Sequence, residues 1–233
     1  MHKAAKLLNL LAIAGICTSG GQEDKISTVQ YTNLTGSQGY NIDVKASLLD
    51  VDPLDCNSDV NIRQNFHPFL ESGLNDLISR CLTTSYQYLT MAYHFDRADQ
   101  AYAGFRKFFK LASDQEQENA KQLMTYIHKR GGSVKLGDIT ASKKNSWSEA
   151  LDAMEGSLEL ERGLTEDIIA LHSLGKVQMD PHVTHFLENG MLEQKVHLIK
   201  KIADYIQQLR TFKIGQRGLG NFIFDRTLQD LHL

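Results

Sequence analysis

The sequence predicts an all-α fold: a four-helix bundle with one long crossover and a short fifth helix at the C-terminus. Three observations carry this. Apolar residues recur at 3,4 spacing through four long stretches. The first and second stretches, and the third and fourth, are joined by few residues, whereas the second and third are separated by a long segment. Only three prolines occur in 233 residues.

The first helix begins at His67-Pro68 and ends near Asp96-Arg97. Its stripe is Leu74, Leu77, Cys81, Ser85, Tyr88, Ala92 and Phe95. The second runs from about Tyr102 to Arg130, with Phe105, Phe108, Ala112, Glu116, Asn119, Leu123 and Tyr126 on one face; Gly131-Gly132 ends it after a basic last turn. Ser146-Trp147-Ser148-Glu149 reads as a capping box opening the third helix, whose stripe is Leu151, Met154, Leu158, Glu161, Thr165, Ile168 and His172 and whose end is placed at Gly175. Asp180-Pro181 caps and starts the fourth, which runs to about Phe212 with Leu192, Lys195, Ile199, Ile202 and Ile206 inward. Leu219, Phe222, Ile223 and Leu228 form the short fifth helix. Extended, the segment from Gly131 to Asn145 reaches roughly 50 Å. A helix of about 28 residues is roughly 42 Å long. The crossover can therefore span the bundle and make the second and third helices parallel.

A formal charge of −3 gives no reason to expect a nucleic-acid partner. No apolar run reaches the ~18 residues of a membrane span. Residues 1–20 read as a secretory signal: Lys3 and Lys6 precede an uncharged apolar stretch from Leu7 to Cys17, and small residues follow. That implies a secreted or vesicular protein, and makes Asn33-Leu34-Thr35 a possible glycosylation acceptor. Residues 21–61 form an N-terminal extension without period, and 62–233 the helical domain. Loss of the signal removes Cys17 and leaves Cys56 in the extension and Cys81 on an inward face. Either both are unpaired thiols or Cys56 bridges to a partner subunit.

Each of the four long helices places an unusual residue at mid-stripe. The first gives Cys81 and Tyr88, the second Glu116 and Asn119, the third Glu161, the fourth Lys195. All lie near the middle of their helices, so they can meet. A carboxylate on an apolar stripe needs a partner or a bound cation. Glu-x-x-His at Glu116 would be half of a di-iron site in such a bundle, but the fourth residue here is Asn119.

From Ile62 onward, over about 170 residues, the chain resembles ferritins. Ser85-Tyr86-Gln87-Tyr88-Leu89, Tyr93-His94-Phe95-Asp96-Arg97, Lys129-Arg130-Gly131-Gly132, Ala153-Met154-Glu155, Asp180-Pro181-His182 and Phe222-Ile223-Phe224-Asp225 carry the resemblance. It implies a subunit of a hollow 24-subunit shell that stores iron. The extension and signal resemble those of secreted, animal-type ferritins. In the heavy-type subunits of that family a dinuclear ferroxidase site lies inside the bundle. By that resemblance Tyr88, Glu116 and Glu161 match site positions. Cys81 stands for a Glu, Asn119 for the His and Lys195 for a Gln.

Losing Glu and His removes donors that iron favours. Lys195 adds an ammonium beside two carboxylates, which is the logic of the light-type subunit. The resemblance therefore implies an iron-storage subunit with little or no ferroxidase activity, dependent on heavy-type partners. The alternative is a ferroxidase working at a depleted site with Tyr88, Glu116, Glu161 and Cys81, and a further one is a bundle with no iron role. Asp114 and Glu118 fit the acidic nucleation patch of light-type subunits, here interleaved with Lys107, Lys110 and Gln115. They equally suit a solvated mixed-charge face. His172, His185 and Glu188 match positions of the three-fold entry channel, with His185 replacing an Asp. A ring of His and Glu from three subunits can bind a divalent metal.

Overall fold

The computed structural model describes residues 62–142 and 144–230. The expected signal segment, the 21–61 extension, Asn33 and Cys56 lie outside them.

Helix α1 is Pro68–Phe95, with Pro68 at its first position and the His67 side chain accepting from the Phe69 N–H. Helix α2 is Ala103–Lys129. Its end is a Schellman turn: Gly132 N–H donates to Ile127 O at 2.9 Å and Gly131 N–H to His128 O at 3.0 Å. Gly131 sits at φ 73°, and a Cβ there would lie 2.8 Å from the Arg63 nitrogen, so only glycine suits the position.

Helix α3 is Ala150–Val177, and here the sequence reading is corrected three times. The capping box does not form. Trp147 is buried against His94 and draws the chain inward, so helical geometry starts only at Ala150. Ser148 instead donates its N–H and hydroxyl to Asp152 Oδ2, at 3.3 and 3.4 Å. Nor does Gly175 end the helix. It is buried, and a Cβ there would come within 3.0 Å of Thr184 Cγ2. The inward face is also rotated. Ala153, Ser157 and Leu164 are buried, while Leu151, Leu158, Thr165 and His172 are half-buried.

The fourth rod has three parts. Helix α4, Pro181–Phe186, is capped by the Asp180 carboxylate. A π-helical turn, Leu187–Leu192, follows, and helix α5 is Glu193–Arg210. Leu192 and Ile199 are half-buried where the sequence placed them inward. After a 3₁₀ turn, Ile214–Gln216, comes α6, Arg217–Gln229. Its Leu219, Phe222 and Ile223, expected to define the helix, are all about half exposed or more, and Gly220, Phe224, Asp225 and Leu228 are buried instead.

Cross-helix pairs set the topology. Ser85–Ser113 and Phe95–Phe105 run α1 antiparallel to α2. Tyr88–Glu161 and the Gly73–Leu171 approach run α1 antiparallel to α3, so α2 and α3 are parallel. Asn119–Gln194 and Phe108–Tyr205 set α5 against α2. The crossover climbs one stripe of α1: Asn75 donates to Ser133 O and accepts from Lys135 N–H, Gly137 passes Ser79, and Thr140 N–H reaches Thr83.

Two apolar clusters fill the bundle. One, at the α6 end, is aromatic, with Phe95, Phe105, Phe108, Phe109, Trp147 and Phe224. The other is aliphatic, with Leu70, Leu74, Ile78, Leu123, Ile168 and Leu187. Helix α6 docks on the first by an unusual cap. No side chain at Tyr102 caps α2, and Asp225 Oδ1 accepts from Gly104 N–H at 2.7 Å and Phe105 N–H at 3.0 Å. A Cβ on Gly104 would lie 1.9 Å from Asp225 O, so the approach demands glycine.

Candidate metal centre

Between the two clusters lies a buried polar layer, and the mid-stripe residues build it. Glu116 and Asn119 sit one turn apart on α2 and share a face. Glu161 comes from α3, Tyr88 from α1 and Lys195 from α5, all at most 2% exposed. The Lys195 ammonium donates to Glu116 Oε1 and, at 2.8 Å, to Glu161 Oε2. Tyr88 OH donates to Glu161 Oε1 at 2.6 Å. Asn119 Nδ2 donates to Glu116 Oε2 at 3.3 Å and to Gln194 Oε1 at 3.0 Å, and Asn119 Oδ1 accepts from Gln115 at 3.3 Å. Every oxygen of the two carboxylates therefore has a donor within the protein.

The electrostatics follow from one ammonium shared by two buried carboxylates. Burial pulls the Lys195 pKa down, but Glu116 and then Glu161 more than reverse this, and it is raised above the ordinary lysine value. Lys195 is thus held as a cation. Glu116 is raised: burial outweighs the help it draws from Lys195, and the Glu161 charge adds to the rise. Tyr88 is pushed up by burial and then by Glu161, so it remains a phenol that donates.

Cys81 is fully buried with a free thiol. Burial first, then the Glu116 carboxylate, push its pKa far up. It is not a thiolate, so it offers a metal no anionic sulfur.

The donor set does not fit a di-iron centre. The Lys195 Nζ occupies the point where both carboxylates converge. Asn119 supplies no imidazole and Cys81 no carboxylate. Among the described residues, no three of His, Cys, Asp and Glu come together as a metal-holding group.

Of the outer candidates, Asp114 and Glu118 pair with lysines, and His172 and Glu188 are brought together. Lys110 pairs with Asp114, and Lys121 with Glu118 at 3.4 Å, each one turn along α2. His172 Nε2 and Glu188 Oε1 lie 2.6 Å apart, joining α3 to the π-helical turn. His185 is exposed on α4. The partners the sequence reading missed are Gln115 and Gln194. Both flank site residues on half-buried positions, and nothing in their spacing separates them from ordinary surface glutamines.

The ferritin-like domain model matches residues 71–212, from the first turn of α1 past the end of α5. The chain belongs to the ferritin family. It is 43% identical to the soma ferritin of Lymnaea stagnalis over 164 residues, which is 70% of this chain and 92% of that protein. Against the ferritin light chain, oocyte isoform, of Xenopus laevis it is 37% identical over 165 residues, 71% of this chain and 93% of the other. Against the ferritin light chain of Oryctolagus cuniculus it is 36% identical over 165 residues, 71% and 94%. Within this ferritin bundle, a lysine lies at the middle of the buried polar layer.

Proposed function

We propose that this ferritin is an iron-storage shell subunit with little or no ferroxidase activity of its own, co-assembling with heavy-type subunits that oxidise Fe(II). Iron is its cargo. The observation that carries the reading is the Lys195 ammonium bound to both Glu116 and Glu161. An internal cation satisfies the two carboxylates that would otherwise attract a metal. The likeness to two light chains supports the same reading. The neutralised pairs at Asp114 and Glu118 make mineral nucleation on this chain weak as well, so its part is to build the shell and enclose the mineral. Its site of action is a 24-subunit shell in the secretory pathway or outside the cell, as the leader-like residues 1–20 suggest. Iron entry through a three-fold ring of His172, His185 and Glu188 belongs to the same proposal.

The test is the initial rate of Fe(II) oxidation by the homopolymer beside a heavy-type shell. A slow homopolymer that recovers the full rate on co-assembly supports the proposal. A homopolymer as fast as the heavy-type shell, slowed by Glu116→Ala, overturns it in favour of a ferroxidase.

A further inference from the structure

Away from the polar layer, one buried ionisable group has no role in iron handling. His94, in the last turn of α1, is 6% exposed. Neither ring nitrogen has a hydrogen-bond partner of ordinary geometry among the described residues. Its ring meets Phe95 edge-on at 5.1 Å and Trp147 edge-on at 5.3 Å. Trp147 is itself 5% exposed and lies where the crossover enters α3. Gly156 of α3 lies beside it: a Cβ there would sit at ordinary contact distance, 3.8 Å, from Trp147 Nε1. Helix α3 starts without a side-chain cap, and the seating of Trp147 holds the end of the crossover and the first turn of α3 together with the Lys144–Asp152, Ser148–Asp152 and Glu149–Arg217 contacts.

The Trp147 backbone favours the charged ring through a hydrogen bond, but an imidazolium in this pocket would still be a desolvated cation without a charged acceptor. The surrounding charges do not supply one. In the turn after α1, Arg97 pairs with Asp99 at 2.9 Å, and their influences on His94 oppose each other. On the side of α2, Asp96 pairs with Arg106 at 3.0 Å. On the crossover side, Lys144 lies 5.9 Å over the Trp147 ring and pairs with Asp152 of α3 at 2.7 Å. Glu149, at the head of α3, pairs with Arg217 at 2.7 Å. Burial first, then Arg97, hold the His94 pKa below its ordinary value, against the opposing effects of a hydrogen bond to the Trp147 backbone and of Asp99.

We propose that His94 is an acid-released latch: taking up a proton drives its ring out of the aromatic pocket and frees Trp147, the end of the crossover and the first turn of α3. The sign is fixed by linkage. His94 binds its proton better when released than when seated, so the seated state is favoured above the ordinary histidine pKa of about 6.5 and loses ground below it. Between about pH 7.5 and about pH 5.5 the local opening equilibrium rises, with about tenfold as its upper limit.

Trp147 is the chain's single tryptophan, so its fluorescence reports the latch directly. The assembled protein is titrated from neutral to mildly acid pH while far-UV circular dichroism follows the helices. The expected result is a red-shifted or quenched emission developing below the histidine range, with helicity retained, and a flat profile in His94→Phe. An emission that stays constant until the helices melt overturns the proposal. So does a His94→Phe profile that follows the wild type. A second measurement needs no variant: hydrogen exchange of the segment 144–152, corrected for the intrinsic pH dependence, should accelerate relative to α2 over the same interval, with about tenfold as the upper limit. Equal behaviour of the two segments would also count against the latch.

Discussion

Replacing Lys195 by Gln removes the one cation from the polar layer and leaves Glu116 and Glu161, each at most 1% exposed, facing each other across its place. Breaking a buried ion pair by deleting one partner costs about 3–5 kcal/mol, because the remaining charge stays buried and uncompensated. Gln keeps nearly the same volume and can still donate one hydrogen bond, so the lower end, about 3 kcal/mol, is expected. The cost carries a pH signature. The Glu116 pKa is already raised above the ordinary 4.5 by burial and by the Glu161 charge, and loss of the ammonium removes the main effect opposing that rise. A carboxyl with a raised folded pKa holds its proton more tightly when folded, so the penalty is absent below the unfolded pKa, grows as pH rises from the unfolded to the folded pKa, and is full above it. Denaturant unfolding of wild type and Lys195→Gln at several pH values measures this. The difference should be about 3 kcal/mol near neutrality and shrink toward acid pH. A variant as stable as the wild type at neutral pH, or a difference that does not vary with pH, would refute the account of Lys195 as the buried counter-ion.

Lys195→Gln alone should leave Fe(II) oxidation slow, because Cys81 and Asn119 still withhold two donors; Cys81→Glu/Asn119→His/Lys195→Gln together should raise the initial rate by at least tenfold, read by absorbance on iron addition. Cys81 should resist alkylation in the folded shell at neutral and mildly alkaline pH and react only on unfolding, checked by mass spectrometry after iodoacetamide. Asp225→Ala should cost about 1–2 kcal/mol through the lost cap on α2, and should make α6 the first segment cut in limited proteolysis. Gly104→Ala should be more disruptive than Asp225→Ala in the same assay, since its Cβ would meet the Asp225 carbonyl at 1.9 Å.

The helices and their meeting point were legible because apolar spacing reports which residues lie on one face. Leu74 through Phe95, and Phe105 through Tyr126, are inward as spaced. That Glu116, Asn119, Glu161 and Lys195 share one layer followed from their mid-helix positions in helices joined by short turns and a long crossover. Other features depend on contacts made only after folding. The burial of Trp147 overrode a good local capping sequence at Ser146 to Glu149. Gly175 looks like a stop signal but is a close-packing position against Thr184. Asp225 caps a helix 120 residues earlier in the chain, and no local pattern announces that. Leu219, Phe222 and Ile223 are apolar yet exposed, so their composition marks a helix without giving its buried side.

The π-helical turn at Leu187–Leu192 acts as a phase adjuster in the fourth rod. Each residue advances an α-helix by about 100°. Upstream of the turn the rod carries His185, and within it Glu188; downstream it carries Lys195. Deleting Gly190, where a side chain would meet nothing within 4 Å, would let the rod wind as one continuous α-helix. The residue removed is the one that the π turn takes up in excess, so with α4 held by its Asp180 cap the downstream register is kept and Lys195 stays on the central axis. An extra residue placed in an unbroken rod, with no π turn to absorb it, would instead turn everything downstream by about 100° and carry Lys195 off that axis. The occupant of the bundle's centre therefore depends on a turn that absorbs one residue several positions away, outside the polar layer itself.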